Sequence, residues 1–150
     1  MTISIMPVSR DARKLSLGLL AVPEVSAAVL YGLHEVFTCV GTMWQTVTGD
    51  RVRSRQISPR IVGASTDPIR TSLGVPLAPE TTFGDKVRMD VIIVSDLYLE
   101  PDLDLMGLWP EAISWLQAQH KQGAIICSVC TGSLLLAEAG FLDGREATTH

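Results

Sequence analysis

Cys130 is the residue whose setting in this sequence is best suited to chemistry. A short apolar run, Ala124-Ile-Ile-Cys127, leads into it, and Thr131, Gly132 and a helical segment follow. A strand, a tight turn and a helix in this order hold a nucleophile at the carboxyl edge of a sheet. Gly132 removes a Cβ that would crowd the turn, and free N–H groups at the helix start would favour thiolate over thiol. We therefore predict a nucleophile elbow at Cys130.

The other two cysteines are assigned no chemistry. Cys127 belongs to the apolar strand and is expected in the core, where cysteine acts as a small hydrophobe. Three extended residues would place it about 10 Å from Cys130, beyond the reach of a disulfide. Cys39 falls on a predicted helix. A Cys-x-x-Cys redox motif is therefore not favoured, while a buried structural Cys130 and an oxidation-sensing Cys130 stay open as alternatives.

The elements that must position Cys130 alternate between apolar strands and amphipathic helices. Strands are predicted over residues 15–22, 57–62, 91–94 and 124–127, and helices over residues 26–40, 109–122 and 133–138. Residues 42–52 are predicted as irregular or extended, and residues 66–80, with three prolines, as a turn-rich hairpin region. The alternation predicts an α/β domain with a mostly parallel sheet flanked by helices.

Local signals mark the ends and the buried face of the helix predicted over residues 109–122. Pro110 suits the first turn of the helix over residues 109–122 and Gly123 suits its end. The helix face expected to be buried comprises Ala112, Trp115, Leu116 and Gln119. If the chain is extended after residue 50, three arginines lie on one side of it: Arg51, Arg53 and Arg55. We interpret this segment as a solvated edge strand rather than an anion-binding site.

Composition limits the classes of function. The chain has 150 residues, 47% of them hydrophobic, which fits one folded domain. Sixteen acidic against twelve basic residues give a net charge of −4, which opposes a domain-wide nucleic-acid surface. Three cysteines do not make a disulfide scaffold. No His/Cys spacing indicates zinc, so we predict no metal and no cofactor. The apolar stretch over residues 15–33 is too interrupted for a membrane span.

The Cys130 region resembles a known superfamily. Ser128-Val-Cys-Thr-Gly-Ser133, Leu136-Ala-Glu-Ala-Gly140 and Leu142-Asp-Gly-Arg-Glu-Ala-Thr-Thr-His150 are similar to the ThiJ/PfpI superfamily, which has the class I glutamine amidotransferase-like fold, a flavodoxin-like sandwich. Trp115–Gly123 and Tyr31–Phe37 resemble one subgroup, the ThiJ/PfpI-like domain at the N-terminus of AraC-type transcriptional regulators. The resemblance thus implies both a fold and a class of protein.

The resemblance also implies boundaries, a second site residue and partners. It covers about residues 15–150, after a loose N-terminal extension over residues 1–14. In the superfamily a His after a Thr-Thr pair lies beside the elbow cysteine, which implies His150 as the proton carrier for Cys130. Relatives usually continue with a further strand and helices, so we expect a domain that is incomplete at its C-terminal end. They are cytoplasmic bacterial proteins, commonly homodimers, and contact DNA through a helix-turn-helix domain absent from this chain.

Two departures from the superfamily pattern weaken an enzymatic interpretation. Val29 aligns with an acid that touches the cysteine in many catalytic relatives, and Glu24, on the same carboxyl edge, is the candidate substitute. Asp96 and Leu97 align with a Gly-Gly pair that supplies an oxyanion hole. A carboxylate at that position would oppose an oxyanion. Both departures favour a ligand-binding site over a catalytic site.

We therefore expect a ligand-sensing and dimerising domain of an AraC-type regulator. A small polar or carboxylate-bearing metabolite would lie over Cys130, in contact with Thr131, Gly132, Asp96 and Leu97. The alternative is a cysteine-dependent hydrolase or hydratase of the isonitrile hydratase, amidase or peptidase kind. It would use Cys130 and His150, with Glu24 as an additional acid. Neither interpretation includes a membrane partner.

Overall fold

The computed structural model describes residues 13–49 and 56–148. Arg51, Arg53, Arg55 and His150 lie outside this part of the chain. No helix in the described ranges is long and apolar enough to cross a membrane. The elements are, in order, β1 Leu15–Leu20, α1 Ala27–Cys39, α2 Met43–Thr48, β2 Ile57–Gly63, β3 Ile69–Arg70, β4 Pro76–Leu77, β5 Thr81–Thr82, β6 Val91–Val94, α3 Pro110–Lys121, β7 Ile125–Ser128 and α4 Gly132–Glu138.

Five strands form one parallel sheet in the order β5-β2-β1-β6-β7. The central strand β1 pairs with β2 on one side and with β6 on the other. Parallel neighbours need crossover connections, and α1, α3 and α4 pack against the strands of this sheet. The predicted α/β class is therefore confirmed. The hairpin predicted within residues 66–80 is present as the antiparallel pair β3–β4.

Helix α3 covers the sheet with the face that the sequence predicts. Its four buried residues are Ala112, Trp115, Leu116 and Gln119. Trp115 lies against Gly18 of β1, where an added Cβ would come within 3.4 Å of the indole ring. Gln119 accepts a hydrogen bond from the backbone N–H of Met89 at 3.0 Å and donates to the carbonyl of Val87 at 2.8 Å. This buried amide fixes α3 to the segment that enters β6.

Residues 42–52 differ from their prediction in the part that the structure describes. Met43–Thr48 is a helix and not irregular or extended chain. Its threonines and valine favour strands on propensity alone. The helix ends at Gly49, whose φ of 73° permits a left-handed cap, and the Thr46 hydroxyl donates back to the Thr42 carbonyl at 3.1 Å. The helix therefore forms despite the β propensity of its residues, with Gly49 as the local signal that ends it.

Strand β7 is in its predicted place, but its predicted burial is wrong. Ile125 is 62% exposed, and Cys127 and Ser128 are exposed as well. The predicted core position of Cys127 is therefore also wrong. The physical reason is the sheet order, because β7 pairs only with β6 and is an edge of the described sheet. An apolar run predicts a strand but does not show which neighbours cover it.

Candidate functional site

The chain makes a strained turn at Cys130, between β7 and α4. Cys130 has a φ of 49° and is the only non-glycine residue with positive φ in the described ranges. Side chains rarely adopt this conformation, so surrounding structure must hold it. The N–H of Val129 donates to the carbonyl of Val94 at 2.9 Å, so the strand stays on β6 up to the turn. The Cys130 side chain is exposed and is not in a disulfide.

Gly132 lets the turn sit directly on the end of β6. A Cβ at this position would lie 2.5 Å from the carbonyl oxygens of both Val94 and Ser95. No side-chain-bearing residue could occupy this place without moving the backbone. The glycine predicted to relieve crowding at the turn therefore also permits close contact between α4 and the neighbouring strand.

Thr131 joins the turn to the loop that follows β6. Its hydroxyl donates to the carbonyl of Leu97 and accepts from the N–H of Leu97, both at 2.8 Å. Leu97 is itself paired with Val25, just after β1, through an isolated antiparallel bridge. The hydroxyl of Thr131 thus ties together the ends of three strands. It also occupies the Leu97 N–H, one of the two positions aligned with an oxyanion hole.

The start of α4 does not offer the free N–H groups that the sequence predicts. Gly132 N–H donates to the carbonyl of Val129 at 2.9 Å, Ser133 N–H to Cys130 at 3.2 Å, and Leu134 N–H to Thr131 at 3.0 Å. The tight turn satisfies these donors within itself, and the helix has only seven residues. An anion site built on them is therefore not supported.

Asp96 and Cys130 occupy equivalent positions after two neighbouring strands, β6 and β7. The two strands pair in register up to Val94 and Ser128, and Asp96 and Cys130 each come two residues later. The carbonyl of Asp96 accepts a hydrogen bond from the N–H of Ser26 at 3.0 Å. The backbone at Asp96 is therefore bonded to the residue that precedes α1.

Two polar side-chain atoms at the end of β6 are buried without a hydrogen-bond partner. They are Oγ of Ser95 and Oδ1 of Asp96. Buried polar atoms are normally paired, so exceptions point to water, an ion or a functional group. Ser95 is only 1% exposed, whereas Asp96 as a whole is partly exposed.

Glu24 lies at the same edge of the sheet, after β1. Its carbonyl accepts from the N–H of Tyr98 at 2.7 Å, and its carboxylate accepts from the indole N–H of Trp109 at 2.9 Å. The role of Trp109 was not predicted, because a contact between residues 85 positions apart leaves no local pattern. Val29, aligned with the acid of catalytic relatives, is a partly buried residue of α1.

The two described histidines have contacts elsewhere. His34 Nε2 is 3.4 Å from a carboxylate oxygen of Glu80. His120 Nδ1 is 3.3 Å from the carbonyl oxygen of Ala124, and its ring meets Phe141 edge-on at 5.2 Å between centroids. His150 is outside the described residues, so its predicted role beside Cys130 stays a prediction.

Comparison with known proteins identifies the family. The model of the DJ-1/PfpI family matches residues 40–150, so the chain belongs to this family. The resemblance found in the sequence is thereby confirmed. Isonitrile hydratase from Pseudomonas putida is 30% identical over 141 residues, which cover 91% of this chain and 52% of that protein. The HTH-type transcriptional regulator CdhR from Pseudomonas aeruginosa is 31% identical over 90 residues, or 60% of this chain and 26% of the regulator.

Solved structures agree on the fold. A protein from Vibrio parahaemolyticus superposes with a TM-score of 0.69 at 18% identity, covering 92% of this chain and 68% of that one. An AraC family transcriptional regulator from Pseudomonas putida gives a TM-score of 0.58 at 18% identity, covering 91% of this chain and 66% of that one. The chain spans about half of the hydratase and about a quarter of CdhR.

Proposed function

We propose that this chain is a ligand-sensing domain of an AraC-type transcriptional regulator. A small metabolite would bind over Cys130, in contact with Thr131, Gly132, Asp96 and Leu97, and the domain would act as a homodimer in the bacterial cytoplasm. DNA contact would come from a separate helix-turn-helix domain. The similarity to the regulator CdhR supports this class of protein.

One observation carries the preference for binding over catalysis. The N–H of Leu97 donates to the Thr131 hydroxyl at 2.8 Å, so it is not available to stabilise an oxyanion. The other aligned position is Asp96, whose negative charge would raise the energy of a developing oxyanion. Val29 stands where many catalytic relatives carry an acid, so among the described residues of α1 no acid is available at that position to move a proton.

A thermal-shift screen of small metabolites tests the binding role. We expect at least one compound to raise the melting temperature of the wild-type chain, and the rise to shrink in the Cys130→Ser variant, because a bound ligand stabilises the folded state. Cys127→Ser is the matched control, since Cys127 is an exposed thiol on β7, the strand that leads into the turn, and it should respond like the wild type. Equal shifts in all three proteins would contradict a site at Cys130.

A second candidate is an isonitrile hydratase, favoured by the 30% identity to that enzyme over 141 residues. Its reaction adds water to an isonitrile carbon to give a formamide. Cys130 would attack the carbon, His150 and Glu24 would move protons, and water would then release the product. Because the Glu24 carboxylate also accepts from the Trp109 indole, its position is fixed before substrate arrives.

A further inference from the structure

A second cavity, the α3 cavity, opens between helix α3 and residues 83–88, the chain that leads from β5 towards β6. Its volume is about 330 Å³, which is within the range of cavities that hold small molecules. Arg88, shortly before β6, and Gln122, shortly before β7, both line it, so it lies near the amino ends of these strands. Cys130 follows the carboxyl end of β7, and the two places are therefore separate.

Hydrogen bonds hold the two walls of the α3 cavity together. The buried amide of Gln119, on α3, donates to the carbonyl of Val87 at 2.8 Å and accepts from the N–H of Met89 at 3.0 Å. A buried polar group that is bonded on both sides favours one arrangement of its neighbours. The cavity is therefore part of the folded structure.

Two aromatic rings form an apolar wall of the α3 cavity. The ring centroids of Phe83 and Trp115 are 5.3 Å apart, with the planes tilted by 33°. Trp115 is 6% exposed, and its indole ring reaches Gly18 on the central strand β1, so this wall rests on the core. Aromatic side chains pack well against a further ring in offset or edge-on contact. The wall therefore fits a flat aromatic group.

The charged residues of the α3 cavity favour an anion. Of the described residues that line it, Lys86 and Arg88 are cationic and only Asp85 is acidic. The Asp85 carboxylate already accepts from the Thr81 hydroxyl and the Thr82 N–H, both at 2.7 Å. Lys86 and Arg88 are exposed, so their charged groups are accessible to a ligand. The parallel N–H groups of a guanidinium match the two oxygens of a carboxylate.

A wider groove fixes the direction in which such a ligand would lie. It has a volume of about 520 Å³, shares Phe83 and Trp115 with the α3 cavity, and continues to Glu111 in the first turn of α3. A carboxylate at that end would be repelled by Glu111. The anionic group of a ligand is therefore expected at the Arg88 end, with its apolar part towards the groove.

We propose that the α3 cavity binds a small aromatic carboxylate, with the ring against Phe83 and Trp115 and the carboxylate at Arg88 and Lys86. This site is independent of the proposed function, since none of its residues belongs to the turn at Cys130. It would give the domain a second place at which a metabolite can bind.

Calorimetric titration of the whole chain with 2-naphthoate tests the proposal. We expect a dissociation constant on the order of 0.1 mM, as is reasonable for a ligand of this size. Two probes separate the contributions of ring and charge. The 2-naphthylmethylammonium ion keeps the rings and reverses the charge, and acetate keeps the carboxylate without a ring. Each should bind at least about tenfold more weakly than 2-naphthoate.

Variants locate the binding of 2-naphthoate. Arg88→Gln should weaken it about tenfold, because the guanidinium is lost from an exposed position. Lys121→Gln is the matched control, since Lys121 is an exposed cation at the end of α3 that does not line the cavity. That variant and Cys130→Ser should both bind like the wild type.

Three results would overturn the proposal. Equal affinity for 2-naphthoate and 2-naphthylmethylammonium would show that the cations do not select the ligand. Wild-type affinity in Arg88→Gln, or no binding of 2-naphthoate by the wild type, would show that the cavity does not bind it. Loss of binding in Cys130→Ser alone would move the ligand to the thiol, which would support the proposed function while removing the second site.

Discussion

Three consecutive residues define the candidate site, and each is fixed by backbone contacts. Cys130 takes a positive φ of 49°, Thr131 bonds both polar groups of the Leu97 backbone, and Gly132 touches the end of β6. These constraints act on backbone shape, so they hold the thiol in place whether or not the site turns over. The geometry of the site therefore depends on the neighbours of Cys130 more than on the cysteine alone.

Gly132→Ala tests the close contact at the turn. Its Cβ would lie 2.5 Å from two backbone oxygens, so we expect a loss of about 1–3 kcal/mol in the free energy of unfolding. Gly32→Ala is the control, because Gly32 lies inside α1 with nothing within 4 Å of an added Cβ, and it should gain about 0.5–1 kcal/mol. Denaturant unfolding measures both. Equal effects would refute the close packing.

The sequence identified the residues of the candidate site, but it did not predict the hydrogen bonds that these residues make. The strand-turn-helix pattern locates Cys130 and the glycine after it, because both requirements are local. The bond from Thr131 to Leu97 spans 34 positions, and the lack of a partner for Asp96 Oδ1 depends on what surrounds it in space. Neither leaves a periodic signal in the chain, so neither could be predicted from the sequence.

Among the elements, position along the chain was predicted better than burial, and the clearest success is a helix with local end signals. Helix α3 was predicted with its buried face and with Pro110 and Gly123 at its ends. These features depend only on residues within the helix and next to it, so they can be recognised in the sequence. Helix α2 was not predicted, because its β-branched residues favour strands. It lies between two glycines with positive φ, Gly41 and Gly49, which leave room for only a short helix. The burial of β7 was wrong because it depends on strand order.

The turn after β5 makes a prediction on pH. The Thr81 hydroxyl, and then the Thr82 N–H, hydrogen-bond Asp85 and lower the pKa of its carboxyl below 3.8. A carboxyl whose pKa is lower in the folded state stabilises the fold above pH 3.8, and this contribution is lost as the pH falls through the folded value. Asp85→Asn should therefore melt below the wild type at pH 7.

The difference between the two melting temperatures should close as the pH falls below 3.8, where the wild-type carboxyl gains its proton. Asp102→Asn, at an exposed acid, should show no such difference at either pH. A gap for Asp85→Asn that stayed constant from pH 7 into the acid range would show that the charge of Asp85 plays no part.

In the molecule as a whole, the strand order places the residues of the candidate site together at the carboxyl ends of neighbouring strands. Glu24 follows β1, Asp96 follows β6 and Cys130 follows β7, and these three strands are neighbours. Open α/β sheets place ligands at the carboxyl edge, as the sequence predicted for this family. The same order leaves β7 at the edge of the described sheet with apolar side chains exposed.

Ile125 tests the consequence of that exposed edge. Unpaired apolar edges favour self-association, and a lysine at such a position discourages it. We expect Ile125→Lys to change the free energy of unfolding by less than about 0.5 kcal/mol, while raising the concentration at which light scattering reports association. Ile126→Lys should instead destabilise the fold, because Ile126 packs against the core. Unchanged association in the Ile125 variant would contradict this role of the edge.

We propose that the site around Cys130 binds a ligand without converting it to a product. The most direct test is to incubate the chain with an alkyl isonitrile, the substrate class of the hydratase relative, and to measure formamide release. We expect formamide release to be no faster from the wild type than from Cys130→Ser. Steady release over many turnovers by the wild type, abolished by Cys130→Ser, would contradict it and establish the enzyme in place of the sensor.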